Sequence, residues 1–190
     1  MKNKLLSLLL FTTCLLTLWS CTKSEIPQAL KLYEEFLVGQ RNARLNNGYA
    51  VFAENEWIRY AFFDMNKDGI PELHVRGNGT YSILTCRDGE LVVWASPDYY
   101  AEPLNNGAIL SMRDEGFSIQ YHYIEYDFSG NEQVRIDFGK ARPNDKGVYD
   151  ENSAYYFEDK QVSKEEWDAL TEKYFSIGSD KIEWINVEPQ

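Results

Sequence analysis

Cysteine, histidine and basic side chains are the scarce chemistry of this chain. Three cysteines and two histidines in 190 residues leave no Cys-x-x-Cys pair and no His-Glu-x-x-His pair, so soft-metal and zinc-hydrolase sites have no foundation. Neither Gly-x-Ser-x-Gly nor a phosphate loop is present, and Gly77-Asn78-Gly79 is a turn after a strand with no helix behind it. Lys and Arg number 19 against 30 Asp and Glu, a formal charge of −11. That deficit argues against nucleic acid, whose affinity comes largely from Lys and Arg on phosphates, and it is compatible with cations and solubility. No apolar run reaches the roughly 20 residues that cross a bilayer core. There is no internal repeat and no low-complexity tract.

What is present begins with an address. Met1–Lys4 carries Lys2 and Lys4 and no acid, and Leu5–Leu18 is almost wholly apolar. As a helix that run spans about 21 Å, short of a bilayer core of about 30 Å. A basic start, a short apolar stretch and a small residue before the cut describe a secretory signal peptide over residues 1–20. Leu18-Trp19-Ser20-Cys21 resembles a lipobox, the signal of bacterial lipoproteins, although Trp19 replaces the usual small residue; Cys14, after Phe-Thr-Thr, fits less well. The resemblance implies diacylglycerol on Cys21, cleavage before it, and an extracytoplasmic domain anchored by acyl chains, palmitate among them. Two or more chains anchor stably where one does not. An uncleaved anchor helix and an ordinary signal peptide are the alternatives.

Cleavage removes Lys2 and Lys4 and no acid, moving the formal charge from −11 to −13. A tether over 21–25 then leads into residues 26–190, a length suited to one domain with a real core. With Cys21 lipidated, Cys86 has no partner for an intramolecular disulfide. Its alternation with Leu84 suggests a buried, inert thiol rather than a catalytic one.

Ile26, Ala29, Leu30, Tyr33, Phe36 and Leu37 recur at helical spacing. They predict a helix from the tether to about Gly39 or on to Arg44, with Pro27 tolerated in its first turn and Asn46-Asn47-Gly48 as a break. From Trp57 the period becomes two: Trp57–Phe63 predicts a strand buried on both faces. Thr80–Cys86 and Glu90–Ala95 flank Asp88-Gly89, a hairpin signal. Strands follow over Ala108–Arg113, Phe117–Asp127 and Gln133–Gly139, where Val134, Ile136 and Phe138 alternate with Gln133, Arg135 and Asp137 as in a sheet with one wet face. Ala154–Phe157 adds a short strand. Ser163-Lys164-Glu165-Glu166 is a capping box opening a helix with Trp167, Leu170 and Tyr174 on its buried stripe and Gly178 at its end. Lys181–Val187 predicts an edge strand. The fold class is α+β: an antiparallel meander with an N-terminal helix and a helix near the C-terminus.

One segment carries chemistry. Asp64-Met65-Asn66-Lys67-Asp68-Gly69-Ile70-Pro71-Glu72 places oxygens at positions 1, 3, 5 and 9 of a loop. Calcium takes six to eight oxygen ligands at about 2.4 Å, and alternate residues of a curled loop converge on one point while Gly69 permits the sharp turn. The candidate ligands are the Asp64, Asn66, Asp68 and Glu72 side chains and the Ile70 carbonyl, with water completing the shell; Met65 and Lys67 point away. Val75 stands where an EF-hand needs a bidentate Glu, so the loop is of another kind. Its spacing resembles the FG-GAP calcium loops. Phe62-Phe63-Asp64 through Pro71-Glu72-Leu73, together with Val162-Ser163-Lys164-Glu165-Glu166, is similar to a group of uncharacterised secreted bacterial proteins with one D-x-[DN]-x-D-G-x-P-E-L loop between strands. That resemblance implies a calcium loop and no activity. The bland alternative is a turn that uses Asp, Asn and Gly for geometry alone.

His74 and His122 each alternate with apolar or aromatic neighbours and suit packing or surface roles. The aromatics concentrate in the sheet region; of these Trp94, Tyr121 and Tyr123 are candidates for stacking on a sugar or a protein partner, with core packing as the alternative. Two functions remain open. One is a non-enzymatic, calcium-stabilised surface lipoprotein binding an extracellular glycan or protein. The other is an extracytoplasmic hydrolase of glycan or envelope polymer, in which paired carboxylates about 5–10 Å apart would do the chemistry. An inhibitor or immunity-type partner fits the acidity but has no motif behind it.

Overall fold

The computed structural model describes residues 25–45, 50, 51, 57–77, 79–143, 149 and 152–187. The expected signal peptide, Cys21 and the expected break at Asn46-Asn47-Gly48 lie outside them. The first helix, α1, spans residues 25–37 and buries Ala29, Leu32, Tyr33 and Phe36. It stops where Gly39 enters the left-handed region at φ 76. There Gly39 N–H donates to the Phe36 carbonyl and Gln40 N–H to the Glu35 carbonyl, the paired closure that a glycine just past a helix end permits. The chain does not continue as helix to Arg44: Ala43–Arg44 is a strand, β1, paired with Ala50–Val51, β2.

Two sheets carry the rest. The first uses β3 (Trp57–Phe63), β4 (Glu72–Gly77), β5 (Thr80–Arg87), β6 (Glu90–Ala95) and β13 (Ile185–Asn186), ordered β13-β3-β4-β5-β6-β1-β2. The second runs β12-β11-β10-β9-β8-β7. Its members are β7 (Glu102–Pro103), β8 (Ile109–Asp114), β9 (Ser118–Tyr126), β10 (Glu132–Ala141), β11 (Ala154–Phe157) and β12 (Lys160–Val162). Pairing is antiparallel throughout except β1 beside β6. The α+β class, with antiparallel sheets and a helix towards each end, is as expected; the meander, however, divides after β6, because β7 pairs with β8 and not with β6. Asp88 and Gly89 adopt φ 53 and 76 between β5 and β6, the mirror-image turn whose twist matches that of the strands.

Three clusters fill the interior. Residues of α1 meet Leu73, Val75, Leu84, Leu91 and Val93 of the first sheet. On that sheet's other side Tyr81, Ile83, Trp94 and Ala95 meet Ile109 of the second. The second sheet's far side, Tyr123, Phe138 and Tyr155, packs on Trp167 and Tyr174 of helix α2 (Lys164–Phe175). The order is therefore helix, sheet, sheet, helix. Burial on both faces, which the sequence suggests for Trp57–Phe63, belongs to β4, every residue of which is buried. In β3 Ala61 is buried but Ile58 is 55% exposed.

Ser163 caps α2 as expected, its Oγ accepting the Glu166 N–H at 3.1 Å. The buried stripe is Trp167, Thr171 and Tyr174, with Thr171 where Leu170 was expected. The helix ends at Phe175, capped by Ser176, ahead of Gly178. Ser163→Ala removes the acceptor and should cost about 1 kcal/mol, a fall of about 2–4 °C in Tm for a domain of this size. An unchanged thermal melt would show that the cap contributes nothing to global unfolding.

Candidate metal centre

Residues 64–71 join β3 to β4 as a loop closed by its own polar groups. Asp64 Oδ2 accepts the Gly69 N–H at 3.0 Å, Asn66 Oδ1 accepts the Asp68 N–H at 2.9 Å, and Asp68 Oδ1 accepts the Ile70 N–H at 2.7 Å. Asn66 Nδ2 donates to Asp68 Oδ2 at 2.9 Å. Lys67 and Gly69 both take positive φ, 61 and 88, which curls the backbone tightly enough to aim alternate side chains inward. Met65 points the other way, into the core between the sheets, and Ile70 packs on the core beneath α1. The second sheet buttresses the loop through Gly107. A Cβ there would lie 2.4 Å from the Met65 carbonyl oxygen, so only glycine lets the β7–β8 turn rest on the loop.

Glu72 stands apart from the other ligand candidates. It is 0% exposed; Oε2 accepts the Met65 N–H at 2.8 Å, while Oε1 is buried with no donor. Asp64 Oδ1 is likewise buried and unpartnered. Burial pushes the Glu72 carboxyl up to about 8; the Met65 N–H opposes the shift, and the negative charges of Asp68 and Asp64 add to it. Among the described residues no Lys, Arg or His forms an ion pair with Asp64, Asp68 or Glu72.

A buried carboxylate oxygen without a donor is costly, and two around one loop are the acceptor set a hard cation would satisfy. Among the described residues no three His, Cys, Asp or Glu side chains are grouped to hold a metal ion unaided. A calcium shell here would need the Asn66 oxygen, a backbone carbonyl and water beside the carboxylates, all of which are ordinary calcium ligands. The donor set therefore fits calcium better than zinc or copper, which take nitrogen and sulfur.

The aromatic candidates pack into the core, Tyr121 only in part. Trp94, 3% exposed, packs between the sheets and donates its Nε1–H to the Phe128 carbonyl. Tyr123 is 4% exposed and its hydroxyl donates to Glu125. Tyr121 stacks on Phe138 with ring centroids 5.3 Å apart. Among the described residues the most outward aromatics are Tyr100, Phe117 and Phe128, each on a turn.

His74 is buried, its Nδ1 2.7 Å from the Tyr81 hydroxyl, and burial lowers its pKa to about 3. Next to it Arg76, also buried, lies over the Tyr81 and Trp184 rings at 4.4 and 4.5 Å. Its guanidinium donates to Glu102 and to the Ala101 carbonyl, tying the first sheet to β7. Register also sets Ser111, His122 and Asp137 side by side on β8, β9 and β10, with His122 Nδ1 2.7 Å from Asp137 Oδ1. This is not a nucleophile and base: the Ser111 hydroxyl is buried and donates to Asp98. Burial pushes the Cys86 thiol up, which keeps it protonated and unreactive.

A cleft of about 440 Å³ opens beside the loop. Asn66, Asp68 and Ile70 line it together with Glu25 and Gln28 of α1, Thr85–Gly89 of the hairpin, and Phe128. No local pattern announces it, because its walls come from four separate segments; the sole cue is that each wall is a turn or a helix start. Among the described residues no helix is long and apolar enough to cross a membrane. The chain matches no family model, and no curated protein or solved structure is significantly similar to it.

Proposed function

We propose that the chain is a calcium-stabilised lipoprotein, held at a bacterial membrane by lipid on Cys21, whose extracytoplasmic domain serves as a binding or structural module rather than an enzyme. The observation that carries the calcium reading is the pair of buried, donor-free oxygens, Glu72 Oε1 and Asp64 Oδ1, on a loop that also offers Asn66 and Asp68. An ion there neutralises three carboxylates between two packed strands. The lipobox-like Leu18-Trp19-Ser20-Cys21 supports placement outside the cytoplasm, where calcium is plentiful, and the acidity of the chain suits a cation.

Thermal melts of residues 22–190 in millimolar calcium and in chelator test this directly. An ion at about 100 times its Kd adds about 2.7 kcal/mol, a rise of about 5–10 °C for a domain of this size. Asp64→Ala should abolish the rise. Equal melts in both buffers would reduce residues 64–72 to an ordinary turn.

A further inference from the structure

We propose that the end of the domain bearing the calcium loop is seated on the membrane that holds the lipid anchor. In that pose Phe128 enters the interfacial layer, and calcium on the loop bridges Asn66 and Asp68 to phospholipid phosphates. The inference rests on the lipoprotein and calcium readings above.

The first argument is reach. Four residue steps separate Cys21 from Glu25, at most about 14 Å of extended chain, and Glu25 is itself a wall of the cleft beside the loop. The polar layer on each side of a bilayer is about 5–8 Å deep. A lipid on Cys21 therefore holds this end of the domain within reach of the headgroups. The second argument is convergence. The start of α1, the β5–β6 turn, the calcium loop and the β9–β10 turn all border one cleft. Three of them touch: Gln28 Nε2 lies 3.1 Å from the Cβ position of Gly89, and Arg87 Nη2 donates to the Phe128 carbonyl at 3.4 Å; the loop shares the cleft with them through Asn66, Asp68 and Ile70.

The third argument is the state of Phe128. Its side chain is 80% exposed although its backbone is pinned. The Phe128 carbonyl accepts from Trp94 and Arg87, and Asp127 Oδ1 accepts the Ser129 and Asn131 N–H groups. Gly130 presses on the Trp94 carbonyl so closely that a Cβ would lie 1.9 Å from its oxygen. A large apolar ring held outward by a fixed turn, at the end where the anchor emerges, suits the headgroup boundary, where amphipathic anchors place Phe and Trp.

Charge then dictates calcium dependence. Glu25, Asp68 and Asp88 face the cleft with Arg87 as the one cation among its walls, so an anionic lipid surface is repelled until an ion intervenes. Calcium takes six to eight oxygens, more than this loop supplies, and phosphate oxygens can fill the remainder. The tether makes the contact intramolecular, so a weak contact suffices.

Photocrosslinking of the full lipidated protein in bacterial membranes tests the pose. A benzophenone side chain replaces Phe128 in one variant and Phe117 in another; Phe117 is also exposed but sits at the opposite end of β9, about 30 Å away for a nine-residue strand. Lipid adducts should form at 128 in excess of 117 by on the order of tenfold, the preference a buried Phe ring confers. The excess should vanish in chelator and in Asp68→Ala. Equal yields at the two positions, or adducts at 128 that contain protein instead of lipid, overturn the pose; an excess that persists in chelator overturns the calcium bridge. Radiolabelled fatty acid on the same chains and the calcium melt separate the causes. Missing label refutes the anchor, a missing melt shift refutes the ion, and both present without the excess refute this inference alone.

Discussion

Glu72→Gln will raise the Tm of the protein in chelator and remove its response to calcium. Glu72 sits at the start of β4 with no exposure and with Oε1 unpartnered. Folding without an ion must therefore either strip water from a carboxylate or take up a proton. With its carboxyl pushed up to about 8 from an ordinary 4.5, that cost is on the order of 3 kcal/mol near neutral pH. Glutamine keeps the shape and keeps an oxygen for the Met65 N–H, but carries no charge to desolvate. Its buried amide gives back about 1–3 kcal/mol, leaving a net gain of about 1 kcal/mol, or about 2–4 °C. In calcium the order reverses: the native protein gains its increment and the variant, lacking an anionic ligand, does not. A variant that melts lower than the native chain in chelator and still responds to calcium would sink both the burial argument and the site.

What was legible in the sequence was whatever is local. Asp88-Gly89 specifies its hairpin because both residues tolerate positive φ, and Ser163 with Glu166 marks a helix start because the cap is made within one turn. Gly39 ends α1 for the same reason. Val134, Ile136 and Phe138 show their face because β10 has one wet side. The loop at 64–72 is visible because its candidate ligands are alternate residues of one short segment. The hairpin between β11 and β12 was hidden, since Glu158 and Asp159 adopt φ 46 and 63 without the Asn-Gly or Asp-Gly pair that signals such a turn. The division into two sheets was also hidden. Nothing near Trp94 or Ala95 says that the next strand pairs elsewhere; the decision is made by Ile109, Tyr81 and Trp94 packing face to face.

The same logic explains the site. Residue types and spacing suggested ligands, but the total burial of Glu72 follows from β4 lying in a sheet covered by α1 on one face and by the second sheet on the other, which is a tertiary fact. Trp94 and Tyr123 read equally as platforms or as core, because aromatic alternation on a strand is the same whether its face is wet or covered, as the second sheet covers Trp94 and α2 covers Tyr123. Arg76 gave no sequence signal, and its partners Glu102 and Trp184 are 26 and 108 positions away.

Calcium will also change the shape of the stability profile with pH. Two buried groups set that profile, and they act in opposite senses. The Glu72 carboxyl is raised to about 8 from 4.5, so in chelator its contribution is fully present below about 4.5 and is lost as pH rises through about 8. The His74 ring is lowered to about 3 from 6.5, so its contribution is present above about 6.5 and is lost as pH falls towards 3. Each slope is about 1.4 kcal/mol per pH unit. From about 4.5 to 6.5 the two cancel, and the chelated protein should show a plateau there with a decline on either side. With calcium holding Glu72 ionised, the alkaline decline disappears while the His74 limb remains. Stability then climbs to about pH 6.5 and stays level above it. The calcium increment in Tm should therefore grow steadily between about pH 5 and pH 8, and Glu72→Gln should flatten the alkaline limb in chelator without touching the acid one. Melts across that range decide the matter. An increment of the same size at both ends would mean that the ion, if it binds, does so without Glu72, and the assignment of this residue as a ligand would fall.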